Sequence, residues 1–188
     1  MSGKLFIFSA PSGSGKTTIV RHLLRQDFKL EFSVSATSRA SRGKEVHGKD
    51  YYFLSTEEFK QKIENDEFLE WEEVYEGCFY GTLKSEIDRI RNKGNNVIFD
   101  VDVVGGVNIK KYYKDDALAV FIQPPSLEEL EKRLRGRNTD SEEVIAERIK
   151  KFQFELGFAD QFDKVIINDK LEVALQEAEN TLSEFIKK

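Results

Sequence analysis

Short apolar runs alternate with amphipathic stripes along most of the chain. Leu5-Phe6-Ile7-Phe8-Ser9 has the length and character of a buried parallel strand. Ile19, Leu23 and Leu24 then recur at helical spacing. Phe32-Ser33-Val34-Ser35 alternates as a half-buried strand does. Ser55 and Glu58 form a capping-box pattern ahead of Phe59 and Ile63, which predicts a short helix. Residues 66–75 mix apolar and acidic side chains in alternation and predict a strand, Glu76-Gly77 a turn, and Phe79-Tyr80-Gly81 the start of a partner strand. Thr82 is placed to cap a helix whose Leu83, Ile87 and Ile90 share one face and which ends at Gly94.

The second half repeats the theme. Asn96-Val97-Ile98-Phe99-Asp100-Val101-Asp102 reads as an apolar strand ending in two aspartates, and residues 117–122 as a third buried strand stopped by Pro124-Pro125. Ser126 and Glu129 make another capping box before Leu127, Leu130 and Leu134. Asp140 with Glu143 begins a long helix carrying Arg148; residues 164–168 form a last strand, and Leu175, Ala178, Leu182 and Phe185 mark a closing amphipathic helix. Strands alternating with helices predict an α/β fold, a doubly wound parallel sheet with helices on both faces.

The first strand and helix flank Ala10-Pro11-Ser12-Gly13-Ser14-Gly15-Lys16-Thr17. This stretch fits the phosphate-binding P-loop at Gly15-Lys16-Thr17 and has Ala10 where the general pattern has Gly. Gly13 and Gly15 let the backbone turn its N–H groups toward phosphate oxygens, and the following helix adds its N-terminal partial charge. Lys16 would reach the outer phosphates and the Thr17 hydroxyl would ligate Mg²⁺. A Gly/Ser-rich surface turn is the plainer alternative, and the strand–turn–helix context argues against it. The stretch therefore predicts a nucleoside triphosphate site.

Composition narrows the class. The 188 residues suggest one domain, 39% hydrophobic and 34% charged, as in ordinary globular proteins. The apolar runs are far too short to span a membrane, and Met1-Ser2-Gly3-Lys4 leads directly into the first strand without a signal peptide, so a cytoplasmic location is expected. The single cysteine, Cys78, allows no internal disulfide or zinc cluster and reads as space-filling. A net charge of −5 argues against general nucleic-acid binding. A phosphate-handling protein of this balance should concentrate its cations locally.

Two cationic segments do so. In the first, Arg39 and Arg42 sit three apart in a Ser/Gly-rich loop that continues to Lys49-Asp50-Tyr51-Tyr52; guanidinium forks and tyrosine hydroxyls both suit phosphate. The second, Lys132-Arg133-Leu134-Arg135-Gly136-Arg137, lies between two helices and suits a lid that excludes water and brings positive charge to a migrating phosphoryl group. Solvated basic surfaces are the plain alternative for each. Asp100 and Asp102, at the carboxyl end of a strand, lie where ligands bind in open α/β sheets. His47 should face water, and His22 should pack or be solvated.

From Leu5 to about Phe185 the chain resembles the guanylate kinases. Beyond the P-loop the resemblance rests on Phe32-Ser33-Val34-Ser35, Arg39 and Arg42, Gly48-Lys49-Asp50-Tyr51, Phe68-Leu69-Glu70-Trp71, Tyr80-Gly81, Asp100-Val101-Asp102, Pro124-Pro125-Ser126 and the Arg133–Arg137 stretch, in that order. It implies a P-loop NTPase-type three-layer α/β/α fold forming a single domain over residues 1–188. Within it would lie a small mixed GMP-binding subdomain at about 34–84 and a helical lid at about 125–157. It also implies ATP-dependent phosphorylation of GMP, and of dGMP, to the diphosphate with Mg²⁺, in purine nucleotide metabolism and GMP recycling. Neither nucleic acid nor membrane would take part, and the chain would be a monomer or homodimer.

The resemblance further implies roles. Ala10, Pro11, Ser12, Gly13, Ser14, Gly15, Lys16, Thr17 and Thr18 would hold ATP, with Asn168 beside the adenine. Arg39, Arg42, Tyr51 and Tyr80 would clamp the GMP phosphate, while Ser35, Glu70, Thr82 and Asp102 would read guanine. Carboxylates suit that task because guanine presents donors at N1 and N2 where adenine has none. Asp100 would serve the metal through water or support the loop, beside Thr17 as direct ligand. Lys16, Arg39, Arg133, Arg137 and Arg148 would surround the transferring group. Val104 stands where the family often has Gln before a Gly. Direct transfer needs positioning and electrostatics rather than a protein nucleophile, consistent with the lack of a Ser-His-Asp or Cys-His set. Three alternatives differ in class: another nucleoside monophosphate kinase, a non-catalytic guanylate-kinase-like peptide-binding module, and a P-loop hydrolase.

Overall fold

The computed structural model describes residues 3–136 and 141–188. In chain order its first elements are β1 (Leu5–Ser9), α1 (Lys16–Leu23), β2 (Leu30–Phe32), β3 (Ala36–Thr37), β4 (Tyr52–Phe53) and α2 (Thr56–Glu64). There follow β5 (Phe68–Tyr75), β6 (Cys78–Leu83), α3 (Lys84–Arg91), β7 (Asn96–Asp100) and α4 (Val103–Tyr113). The chain closes with β8 (Ala117–Gln123), α5 (Leu127–Arg135), α6 (Glu142–Leu156), β9 (Lys164–Ile167) and α7 (Leu171–Ile186).

Five strands form a parallel sheet in the order β2-β7-β1-β8-β9. Its strands are near-continuously apolar because helices cover both faces. Alternate residues divide between them. Phe6, Phe8, Ile98, Val120 and Ile122 pack with Ile19 and Leu23 of α1 and Ala174, Ala178 and Leu182 of α7. Leu5, Ile7, Val97, Phe99 and Phe121 pack the other way, against Ile87 and Ile90 of α3 and Val107 and Ile109 of α4. The period-two alternation of β1 thus builds two cores from one strand. This is the expected three-layer α/β/α arrangement.

A second, mixed sheet in the order β4-β3-β6-β5 lies between β2 and α3 in the chain. Its core is Ala36, Phe59, Phe68, Phe79 and Leu83, with Phe59 stacked on Phe68 at 4.3 Å between ring centroids. α5 and α6 bury Leu130, Leu134, Ile145 and Phe152 together.

Several elements differ from the sequence expectation. The strand expected over 32–35 is broken at 33–35: β2 ends at Phe32 and β3 begins at Ala36, because the chain there leaves one sheet for the other. Thr82 does not cap a helix. It lies within β6, opposite Glu70, and α3 starts at Lys84 after Leu83 without a side-chain cap. β7 stops at Asp100, and Asp102 instead caps α4, its carboxylate accepting from the Gly105 N–H at 2.9 Å. α4 itself was not expected. Its Gly105-Gly106 pair is helix-poor, but a Cβ at Gly106 would lie 2.5 Å from Ser9 Oγ, so glycine there lets the helix press onto β1. α6 is capped by Ser141, which accepts from the Val144 N–H; Asp140, the expected start, lies outside the described residues. His22 pairs with Glu179 at 2.5 Å, and His47, although exposed, accepts from the Phe53 N–H at 3.1 Å.

Candidate active site

The loop after β1 curls because two glycines take left-handed backbone angles, φ +96° at Gly13 and +91° at Gly15. Space demands glycine there as well. A Cβ on Gly13 would meet Leu130 Cδ1 at 2.9 Å, and one on Gly15 would meet Asn168 Nδ2 at 2.3 Å. The loop opens into a cavity of about 380 Å³ lined by residues 10–13 and 15–18, Asp100, Val101, Asp102, Lys151 and Glu155. The first turn of α1 carries no acidic residue, and the partial positive charge of its N-terminus faces the cavity. Lys16 Nζ lies 2.5 Å from Asp100 Oδ1 and donates to the Val101 carbonyl at 2.9 Å. Ser14 is buried, while Thr17 and Thr18 are exposed at the cavity.

The basic loop and the second sheet bring together a second array of polar side chains. Arg39 Nε donates to Tyr80 Oη at 3.0 Å, and its guanidinium lies 4.9 Å from the centroid of the Tyr51 ring. Tyr51 and Tyr80 meet edge to face at 6.0 Å. Both terminal nitrogens of Arg39 donate to Glu45, at 2.7 and 2.8 Å, and the Arg42 backbone N–H reaches the same carboxylate at 2.7 Å. The Arg39 and Arg42 donors hold the Glu45 carboxyl down at about 2, and Glu45 in turn raises Arg39 above its ordinary basicity. Burial raises Tyr51. The sequence reading did not single out Glu45; its place six residues after Arg39 in the same turn was the available signal.

Carboxylates gather between the two arrays. Glu70 sits on β5 opposite Thr82. A Cβ on Gly105 would lie 3.0 Å from Glu70 Oε2 and 3.7 Å from Asp102 Oδ1, which sets both carboxylates against the start of α4. Burial, reinforced by the charges of Asp102 and Glu72 and opposed by the neighbouring Thr82, pushes the Glu70 carboxyl up to about 7. Glu72, two residues along the same strand face, is raised by burial and by Asp102. Ser35 lies in the strap between β2 and β3, its carbonyl accepting from the Tyr52 N–H at 2.9 Å.

The cations expected around the transferring group are dispersed. Arg148 Nη1 donates to Ser12 Oγ at 2.5 Å and so reaches the loop. Arg133 does not line the cavity. It donates to the carbonyls of Asn168 at 2.9 Å and Asp169 at 3.4 Å, and to Glu129 at 3.0 Å. Arg137 lies outside the described residues. Asn168 is buried, and its amide donates to the Ser14 carbonyl at 2.7 Å, bracing the loop from behind. Lys151 and Glu155 line the cavity without having been foreseen. They follow Arg148 by three and seven residues, one helix face, and that spacing was legible. Burial raises Glu155, against the opposing charges of Lys151 and Lys16.

Among the described residues no group of three or more His, Cys, Asp or Glu side chains could hold a metal ion by itself. One hydroxyl, Thr17, and one nearby carboxylate, Asp100, fit Mg²⁺, which keeps waters and shares substrate phosphate oxygens instead of needing a full protein cage.

The guanylate kinase family model matches residues 2–185. The chain is 58% identical over 188 residues to the guanylate kinase of Bacteroides thetaiotaomicron, covering all of this chain and 92% of that one. It is 54% identical over 186 residues to that of Porphyromonas gingivalis, covering 98% and 99%. A crystal structure of guanylate kinase from Anaplasma phagocytophilum superposes with a TM-score of 0.74 at 31% identity, over 97% of this chain and 86% of the other.

Proposed function

The chain belongs to the guanylate kinase family, enzymes that phosphorylate GMP from ATP, and on that premise we propose how its own residues divide the work. The observation that carries the division is Asp102, which lines the P-loop cavity and also abuts Glu70. Glu70 stands on β5, which pairs with β6, and β6 carries the Tyr80 that Arg39 meets.

ATP lies along residues 10–18 with its outer phosphates at Lys16. GMP lies against the second sheet. Arg39, Arg42, Tyr51 and Tyr80 take its phosphate, and Glu70 and Asp102 accept from guanine N1–H and N2–H, with Ser35 and Thr82 beside them. A phosphate oxygen of GMP attacks the γ-phosphorus. The new O–P bond forms as the bond to the β–γ bridging oxygen breaks, and ADP leaves with that electron pair. Lys16 and Arg148 neutralise charge on the migrating group, and Arg39 holds the attacking phosphate in line. Arg133 joins them when the lid of about 125–157 closes on the core. Thr17, and Asp100 through water, would hold Mg²⁺, which would supply further neutralisation of the phosphates. No side chain need act as nucleophile.

Residues 34–84 form the moving GMP-binding region of a single domain. dGMP is also an acceptor, since the guanine contacts do not involve the sugar. The role is purine nucleotide metabolism and GMP recycling in the cytoplasm; no helix of the described residues is long and apolar enough to cross a membrane.

Calorimetric titration of GMP, AMP and ATP tests this division. Glu70→Gln should weaken GMP selectively, since a site built around a buried hydrogen bond discriminates strongly against an unmatched partner. Equal weakening of ATP would overturn the assignment of Glu70 to the acceptor base.

A further inference from the structure

Glu86 belongs to neither nucleotide array, yet its side chain is 1% exposed and carries a charge. It stands on the first turn of α3, a helix fixed to the core through Ile87 and Ile90. Four donors converge on it. Oε1 accepts from the Val34 N–H at 3.1 Å and from Arg89 Nη2 at 2.8 Å. Oε2 accepts from Tyr52 Oη at 2.8 Å and from Arg89 Nε at 2.8 Å. Burial pushes its carboxyl up, but the hydrogen bonds from Arg89, Val34 and Tyr52 outweigh burial and leave it below the ordinary carboxylate range. Arg89 also pairs with Glu31 of β2 at 2.5 Å, and Glu31 is held by Lys93 and Asn95, both at 3.0 Å. A charged chain thus runs from the edge of the core sheet into the second sheet.

The two groups it grips outside the core are telling. Val34 lies in the strap where the chain crosses between sheets and precedes Ser35; Tyr52 opens β4 and follows Tyr51. The Tyr52 N–H bonds the Ser35 carbonyl, so the two gripped segments are also tied to each other. We propose that Glu86 is a positioning residue for the acceptor site, holding Ser35 and Tyr51 in register with the core through Val34 and Tyr52. A buried charge satisfied by four donors is costly to form and costly to disturb, which suits it to fix one geometry of the segment that crosses between the two sheets.

The inference rests on the assignment of Ser35 and Tyr51 to the GMP site, and the test separates the two. Tyr52→Phe removes one hydrogen bond and keeps the ring; Glu86→Gln removes the charge. Steady-state KM for GMP and for ATP, kcat, and the thermal midpoint are measured for both variants and the parent. Tyr52→Phe should raise KM for GMP about three- to tenfold, the scale of one net hydrogen bond, with KM for ATP and kcat at saturating GMP within about twofold. Glu86→Gln, if it folds, should move KM for GMP further in the same direction. Unmoved GMP KM in Tyr52→Phe, or KM values for both substrates rising together with a lowered midpoint, would overturn the inference and leave Glu86 a structural ion pair. Failure of the parent to phosphorylate GMP would instead overturn the acceptor-site reading.

Discussion

Glu45 grips Arg39 across both terminal nitrogens, at 2.7 and 2.8 Å. That is the bidentate geometry with which a guanidinium receives a phosphate, so the acceptor phosphate must compete for, or share, donors that a carboxylate already orients. Arg39→Lys supplies charge without a fork. It should raise KM for GMP by roughly 10- to 100-fold, the worth of one or two charge-assisted bonds, and leave KM for ATP unchanged. Steady-state kinetics with each substrate varied in turn will show this split.

Lys16 spends its ammonium on Asp100 and the Val101 carbonyl at the mouth of the cavity. Replacing it with Met keeps much of the stem and removes the charge. Turnover should fall by about 10²–10³, the scale seen when one preorganised transition-state donor is lost, with the far-UV circular dichroism unchanged. Retained turnover would show that the loop's lysine does not touch the migrating group.

Glu70 makes GMP binding depend on pH in a defined sense. Its carboxyl is raised to about 7 from 4.5, chiefly by burial, and only the ionised form accepts both guanine donors. GMP affinity should therefore improve as pH rises through about 7 and then level off. The phosphate titration of GMP is common to the parent and Glu70→Gln, so their ratio isolates the carboxyl. That ratio should be flat at high pH and shrink toward acid.

The same shift opposes folding. Between pH 4.5 and about 7 the unfolded chain has released this proton while the folded chain retains it, so stability declines as pH rises across that window and is level above it. Glu70→Gln should then be more stable than the parent above pH 7, by an amount on the order of 1–3 kcal/mol. Urea unfolding at pH 5 and pH 8 measures the difference, and the gain should be clearly larger at the higher pH.

Gly15 and Asn168 form a coupled pair behind the P-loop. Gly15→Ala would place a Cβ 2.3 Å from Asn168 Nδ2 at a backbone φ of +91°. It should cost about 1–2 kcal/mol for the left-handed backbone alone, with a further loss from the clash. Combining it with Asn168→Ala should recover the steric part and leave the backbone part. A thermal-denaturation double-mutant cycle that proved additive would show that the two positions do not meet.

Much of this was legible beforehand, and the omissions have physical reasons. Leu5–Ser9, Ala117–Gln123 and the capping box at Ser55 and Glu58 carry strong local signals, and the structure follows them. α4 did not, because Gly105 and Gly106 are poor helix formers chosen for close packing on Ser9. Thr82 resembles a helix cap in sequence, yet pairing with Glu70 across β5 and β6 holds it in a strand. The loop, Arg39, Tyr51, Tyr80 and the two carboxylates could be nominated from residue type and the family pattern. Glu45, Glu86, Lys151 and Glu155 are ordinary charged residues in sequence. Their spacing from Arg39 and Arg148 was a weak signal for all but Glu86, and tertiary placement is what turns the four toward a nucleotide array or the crossing between the sheets.

The most direct test is an ADP-release assay with ATP and Mg²⁺ and a panel of acceptors, GMP, dGMP, AMP, UMP and TMP. The account predicts turnover with GMP and dGMP and at least about 10²-fold lower kcat/KM for the others, because Glu70 and Asp102 would find no paired donors on those bases. Preference for any acceptor other than a guanine nucleotide, or no turnover with any, would contradict it.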